Sequence, residues 1–76
     1  VIAMFTVTTS YPFRIDRVHY RDAGSAVRAV LAKRDAGRSS SVTAATDDER
    51  AELRTLVCSM ARHDAGCVQL FKEIDQ

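Results

Sequence analysis

The spacing of hydrophobic residues changes along this chain, and each change marks a new element. In residues 2 to 9 (Ile-Ala-Met-Phe-Thr-Val-Thr-Thr) β-branched side chains dominate. Alternation there puts Phe5 and Val7 on one face of a strand, with Met4, Thr6 and Thr8 on the other. Ser10-Tyr11-Pro12 ends the run. Pro12 fixes its own φ and holds Tyr11 extended, which suits a hairpin connection. A second strand is predicted from Phe13 to Tyr20. Phe13 and Ile15 share one of its faces, while Val18 and Tyr20 share the opposite one. A bulge near Asp16-Arg17 would bring them into register; without it, the strand is apolar on both faces at different ends.

From Ala23 the period lengthens. Ala23, Ala26, Val27, Val30 and Leu31 fall at i, i+3, i+4, i+7 and i+8, one face of a helix that runs to Asp35 or Ala36. Asp22 stands at the N-cap position, and Gly37 stands where a left-handed C′ residue belongs. Lys33 and Arg34 in the last turn complement the helix dipole. The opposite side carries small residues, Ser25, Ala29, Ala32 and Ala36. That stripe raises the expectation of a helix covered on both sides, by the sheet and by another helix or a partner subunit.

Residues 38 to 46 hold a serine triplet and then Val42 and Ala44 in alternation. A short third strand here would supply pairing that an isolated hairpin lacks. Thr46-Asp47-Asp48-Glu49 is a capping box: the Thr46 hydroxyl accepts from the Glu49 amide, and Glu49 reaches back to the Thr46 amide. Leu53, Leu56, Val57, Met60 and Ala61 then repeat the helical stripe, with Arg62 and His63 in the last turn and Gly66 as its cap. In the tail, Cys67, Leu70, Phe71 and Ile74 match a helix, whereas Val68, Leu70 and Ile74 match an edge strand that Lys72 spoils. A short helix is the expected outcome. The fold class is α+β: a small antiparallel sheet with two main helices on one face, in ββα(β)α order, closed by a C-terminal helix or edge strand. Residues 1–76 form a single domain.

Size and charge refine this picture. A chain of 76 residues buries only about 60–65% of its unfolded surface, so a homodimer is one way to gain more. The apolar run Val1–Phe5 falls far short of the roughly 20 residues that span a bilayer, so no membrane association is expected. A secretory signal is not evident, and two cysteines do not make a disulfide framework; a reduced, cytoplasmic setting is expected. Between Phe13 and Arg38 seven basic residues stand against three acidic ones, and from Ser39 onward four basic residues stand against seven acidic ones. Such poles favour an acidic partner at one end or head-to-tail association.

Candidate chemistry adds little. Cys58, His63 and Cys67 are spaced C-x4-H-x3-C, but zinc takes four ligands, and His19 or Asp64 would have to be recruited. No metal or other cofactor is expected, and a Cys58–Cys67 disulfide gives way to free thiols in a reduced compartment. There is no nucleophile elbow, phosphate-binding glycine loop or two-histidine zinc helix, so no enzymatic activity is expected. The basic segment carries more weight. Arg14, Arg17 and Arg21 interleave with Phe13, His19 and Tyr20, a composition that can contact phosphates and stack bases. The candidate interaction surface is Arg14, Arg17, Arg21, Arg28 and Arg38 together with Ala29 and Ala32.

In length, in its opposed charge poles and in the absence of a catalytic constellation, the chain resembles the small accessory proteins of phages and mobile elements, anti-CRISPR proteins among them. That resemblance implies a non-enzymatic module that inhibits or adapts a host protein complex. The rival expectation is a small nucleic-acid-binding domain that uses the segment from Arg14 to Arg38.

Overall fold

The computed structural model describes residues 4–74. Two strands, β1 (Phe5–Tyr11) and β2 (Arg14–Tyr20), precede α1 (Ala23–Asp35); β3 (Ser39–Ala44), α2 (Asp47–Ala61) and α3 (Ala65–Ile74) follow. The expected beginning of the first strand at Ile2 lies outside the described residues. The sheet is antiparallel, with β1 central in the order β2-β1-β3. The α+β class and the order of elements are as the sequence predicts, with the third strand formed and the tail helical.

Alternation decides what each sheet face meets. On the inner face, Phe5 pairs with Tyr20 and Ala44, Val7 with Val18 and Val42, and Thr9 with Asp16 and Ser40. Phe5, Val7 and Val42 join Ala23, Ala26, Val27 and Val30 of α1, Leu53 and Val57 of α2, and Cys67 and Leu70 of α3 in one core. The inner face turns polar toward the hairpin tip, where buried Thr9 and Ser40 satisfy each other through a 3.1 Å hydroxyl pair. The outer face carries Thr8, Ser10, Arg17, Ser39 and Ser41, exposed or half-exposed, as expected of a sheet covered on one side.

Between Tyr11 and Arg14 the register is continuous to Tyr20, so the expected bulge at Asp16-Arg17 does not form. The second strand instead takes the other course. Ile15 projects to the outer face and Val18 to the inner one, and both remain exposed. Phe13 lies in the two-residue turn and is 100% exposed. An edge strand tolerates this mixture because only part of its inner face reaches the helices.

The same Asp-Ala-Gly triplet is used in two ways. At the start of α1, Asp22 accepts from the Ser25 amide at 2.9 Å and the Ser25 hydroxyl at 3.0 Å. These bonds, helped by Arg28, hold its carboxyl below the ordinary aspartate value. At the start of α3, Asp64 accepts from the Gly66 amide at 2.9 Å. At the end of α1, by contrast, Gly37 adopts φ +83°, Arg38 N–H donates to the Lys33 carbonyl and Gly37 N–H to the Arg34 carbonyl. That pair of bonds is a Schellman closure, and it needs glycine for its left-handed residue.

Two local expectations are corrected. Gly66 does not cap α2, which ends at Ala61 with Arg62 as its C-cap; it lies in the first turn of α3. The capping box is closed differently too. Glu49 N–H donates to the Thr46 hydroxyl at 3.2 Å and that hydroxyl donates to Glu49 Oε1, but Oε2 accepts from the Met4 amide at 2.6 Å. The chain entering β1 supplies an amide that competes with that of Thr46, and α2 is thereby tied to the sheet.

Cys58 is exposed and Cys67 is buried, both as free thiols. Burial, then the nearby Asp64, pushes the Cys67 thiol up from its ordinary value. Alkylation of the native protein should therefore modify Cys58 alone, with Cys67 reacting only after denaturation. Because a raised thiol pKa favours the folded state only while the thiol is neutral, stability should fall as pH rises through the range where the unfolded thiol ionises. Equal labelling of both cysteines in the native protein would refute this packing.

Candidate interaction surface

At the hairpin tip three separate elements bring cations to one ring. Arg14 begins β2, Lys33 occupies the last turn of α1, and Arg38 follows the Schellman closure just before β3. The Arg14 guanidinium lies 4.8 Å from the Tyr11 ring centroid and that of Arg38 4.9 Å; the Lys33 ammonium lies 5.9 Å away. Lys33 Nζ also donates to the Tyr11 hydroxyl at 3.1 Å. The ring face, with its negative quadrupole, attracts the two guanidinium groups by about 0.5–1 kcal/mol each at an exposed site, while Lys33 is held through the hydroxyl at the ring edge.

Register explains the meeting. Ser10 is paired with Ser39 across β1 and β3, and Tyr11 with Arg14 across β1 and β2. Arg38 therefore arrives beside Tyr11 on one side while Arg14 flanks it on the other. Arg14 is also ion-paired with Asp16 at 3.4 Å; among the described residues neither Lys33 nor Arg38 has an ion pair. Three like charges thus share one ring with one nearby counter-charge. The field left over suits a carboxylate or phosphate.

The other predicted residues do not join this cluster. Arg17 projects from the outer face of β2. Arg21 follows Tyr20 at the far end of that strand, roughly 20 Å from the tip at about 3.3 Å per residue. Arg28 borders a groove of about 800 Å³ between α1 and α2, together with Asp22, Glu52 and Leu56. Ala29 is half-buried against the core, while Ala32 and Ala36 are exposed, so the described chain covers the small-residue stripe only in part. The structure therefore unites Arg14 and Arg38 and separates Arg17, Arg21 and Arg28 from them.

Sequence reasoning missed Tyr11 and Lys33. In the sequence the helix dipole accounts for Lys33 and the turn for Tyr11, and only the packing of α1 against the sheet brings them together. Arg34, one residue further, has a different task. Its Nε donates to the Ser40 carbonyl at 2.9 Å, and its two terminal nitrogens hold both carboxylate oxygens of Glu73 at 3.0 and 2.9 Å. It locks α1, β3 and α3 together and is consumed by structure.

Cys58, His63 and Cys67 do not converge: Cys58 and His63 are exposed and Cys67 is in the core. Among the described residues no three His, Cys, Asp or Glu side chains are grouped as a metal would require. No helix of the described chain is long and apolar enough to cross a membrane. No protein-family model, no curated protein and no solved structure matches this chain.

Proposed function

We propose that this domain is a non-enzymatic protein-interaction module that takes an acidic segment of a partner protein at the hairpin tip. The observation that carries the reading is the convergence of Arg14, Lys33 and Arg38 on Tyr11 from three elements. Side chains already gathered and braced on a ring lose less freedom when a carboxylate arrives, which favours binding there over binding to scattered surface cations. An inhibitor or adaptor of a host complex, of the kind found among phage and mobile-element accessory proteins, would use such a surface.

The rival nucleic-acid reading has less support. A polynucleotide is held by a track of cations along its backbone and by aromatic faces on which bases stack. Here Arg17, Arg21 and Arg28 lie away from the tip, Arg34 is tied to Glu73, and guanidinium groups already lie over the Tyr11 ring.

Fluorescence anisotropy with a labelled oligoglutamate peptide and a labelled single-stranded oligonucleotide tests the choice at low salt. The peptide should bind more tightly, and the Lys33→Ala/Arg38→Ala double variant should weaken it about tenfold, or ~1.4 kcal/mol. Tighter binding of the oligonucleotide, with a steep loss on adding salt, would hand the surface to nucleic acid. Binding of neither would remove both readings.

A further inference from the structure

Resting on the reading of the tip as a site for an acidic partner, we propose that this partner enters as an extended strand, paired along the free edge of β2. The sheet has two edges, and they differ. Beside β3, a groove is lined by Arg50 and Leu53 of α2 and by Glu73 and Ile74 of α3, so helices crowd that edge. β2 pairs with β1 alone, and its seven residues are exposed or half-exposed along their whole length. Half of the amides and carbonyls of such a strand point away from its neighbour and are free to pair with another chain.

The side chains at this edge specify what would pair there. Val18 is 49% exposed on the inner face, beside half-buried Tyr20, where a strand laid alongside could place apolar residues. Arg17 and His19 occupy the outer face, and Arg14 stands at the tip with the Tyr11 cluster. From Arg14 through Arg21 there are three arginines and one aspartate. A segment that alternates acidic and apolar residues meets both demands, with acids beside Arg17 and apolar side chains beside Val18. Main-chain bonds would give affinity, and the alternate side chains would give specificity.

The same charges argue against a second copy as the occupant. Antiparallel pairing of β2 with itself over its full length centres on Arg17 and sets it opposite its own equivalent. Like charges directly opposite each other are destabilising. The arginines thus guard the edge against self-pairing while leaving it open to an acidic strand.

The test uses the whole protein and the peptide Val-Glu-Val-Glu-Val-Glu-Val, which matches β2 in length and sets Glu beside Arg17 and Val beside Val18, with a form N-methylated at alternate residues. The methylated form has the same charge but cannot complete a ladder. The unmodified peptide should bind and should slow hydrogen exchange at the outward amides of β2, and methylation should weaken binding at least tenfold. Arg17→Glu, a change on the exposed outer face, should lower affinity by about as much. Equal binding of the two forms, without protection of β2, would overturn strand addition while leaving the acidic-partner reading intact. Failure of both forms to bind, with oligoglutamate also failing, would overturn both. Protection of the β2 amides in the free protein, together with a dimeric mass, would show that a second copy holds the edge and would also overturn the proposal.

Discussion

Phe5→Ala should abolish cooperative folding or come close to it, whereas Phe13→Ala should be nearly silent. Phe5 is fully buried in the single core that the central strand shares with the apolar stripes of the helices. A buried Phe→Ala change costs about 3–5 kcal/mol, combining lost transfer energy with the cavity left behind. The total stability of a 76-residue domain is on the order of 4–11 kcal/mol, so one substitution removes much or all of it. Phe13 belongs to the same hairpin but is fully exposed, and surface changes of that kind stay within about 0.5 kcal/mol. Urea unfolding followed by far-UV circular dichroism reads both. With a slope near ~1 kcal/mol per molar, the Phe5 variant should lose ~3 M or more in midpoint. Equal losses at the two positions would mean that the hairpin is packed differently.

Arg34→Ala should be the most damaging change among the charged side chains. The guanidinium is only 24% exposed, and it bonds the Ser40 carbonyl and both oxygens of Glu73. Its removal leaves the carbonyl of a buried residue without its side-chain donor, a loss of roughly 1–3 kcal/mol. The ion pair adds less, because Glu73 is 42% exposed and water screens it. Arg34→Lys should recover little, since an ammonium cannot span the carbonyl and both carboxylate oxygens. Hydrogen exchange should show α3 losing protection before β1 does, because the lock joins α3 to α1 and β3. An unchanged melting midpoint in Arg34→Ala would show that this lock contributes nothing to stability.

Much of this architecture is written in short-range pattern. The stripe Ala23, Ala26, Val27, Val30 and the capping residues Asp22 and Thr46 define their helices locally, because a helix is closed by bonds four residues apart. The tail follows the same logic: Cys67 and Leu70 are buried on one face while Lys72 points to solvent. Phe13 and Ile15 were harder to place. Their hydrophobicity suggests a core, and only the unbroken β1–β2 register shows that they lie in a turn and on an uncovered face.

The candidate site was legible in part. The excess of arginine between Phe13 and Arg38 is visible in the sequence, and it includes Arg14 and Arg38. Its focus on Tyr11 was not, because that depends on which residues β1 sets beside Ser39 and Arg14. Arg34 shows the converse. By sequence it is one more cation of the basic segment, yet Glu73, far along the chain, claims it.

The sequence by itself determined the apolar stripes of α1 and α2, the caps Asp22, Gly37 and Thr46, the alternation of β1 and the basic character of one segment, since each is fixed by interactions among near neighbours. Tertiary structure alone decided that Gly66 lies in the first turn of α3 rather than closing α2, which cations meet, and which sheet edge stays bare. Those outcomes hang on strand order and on how far the helices reach across the sheet, and both are set by packing between residues distant in the chain.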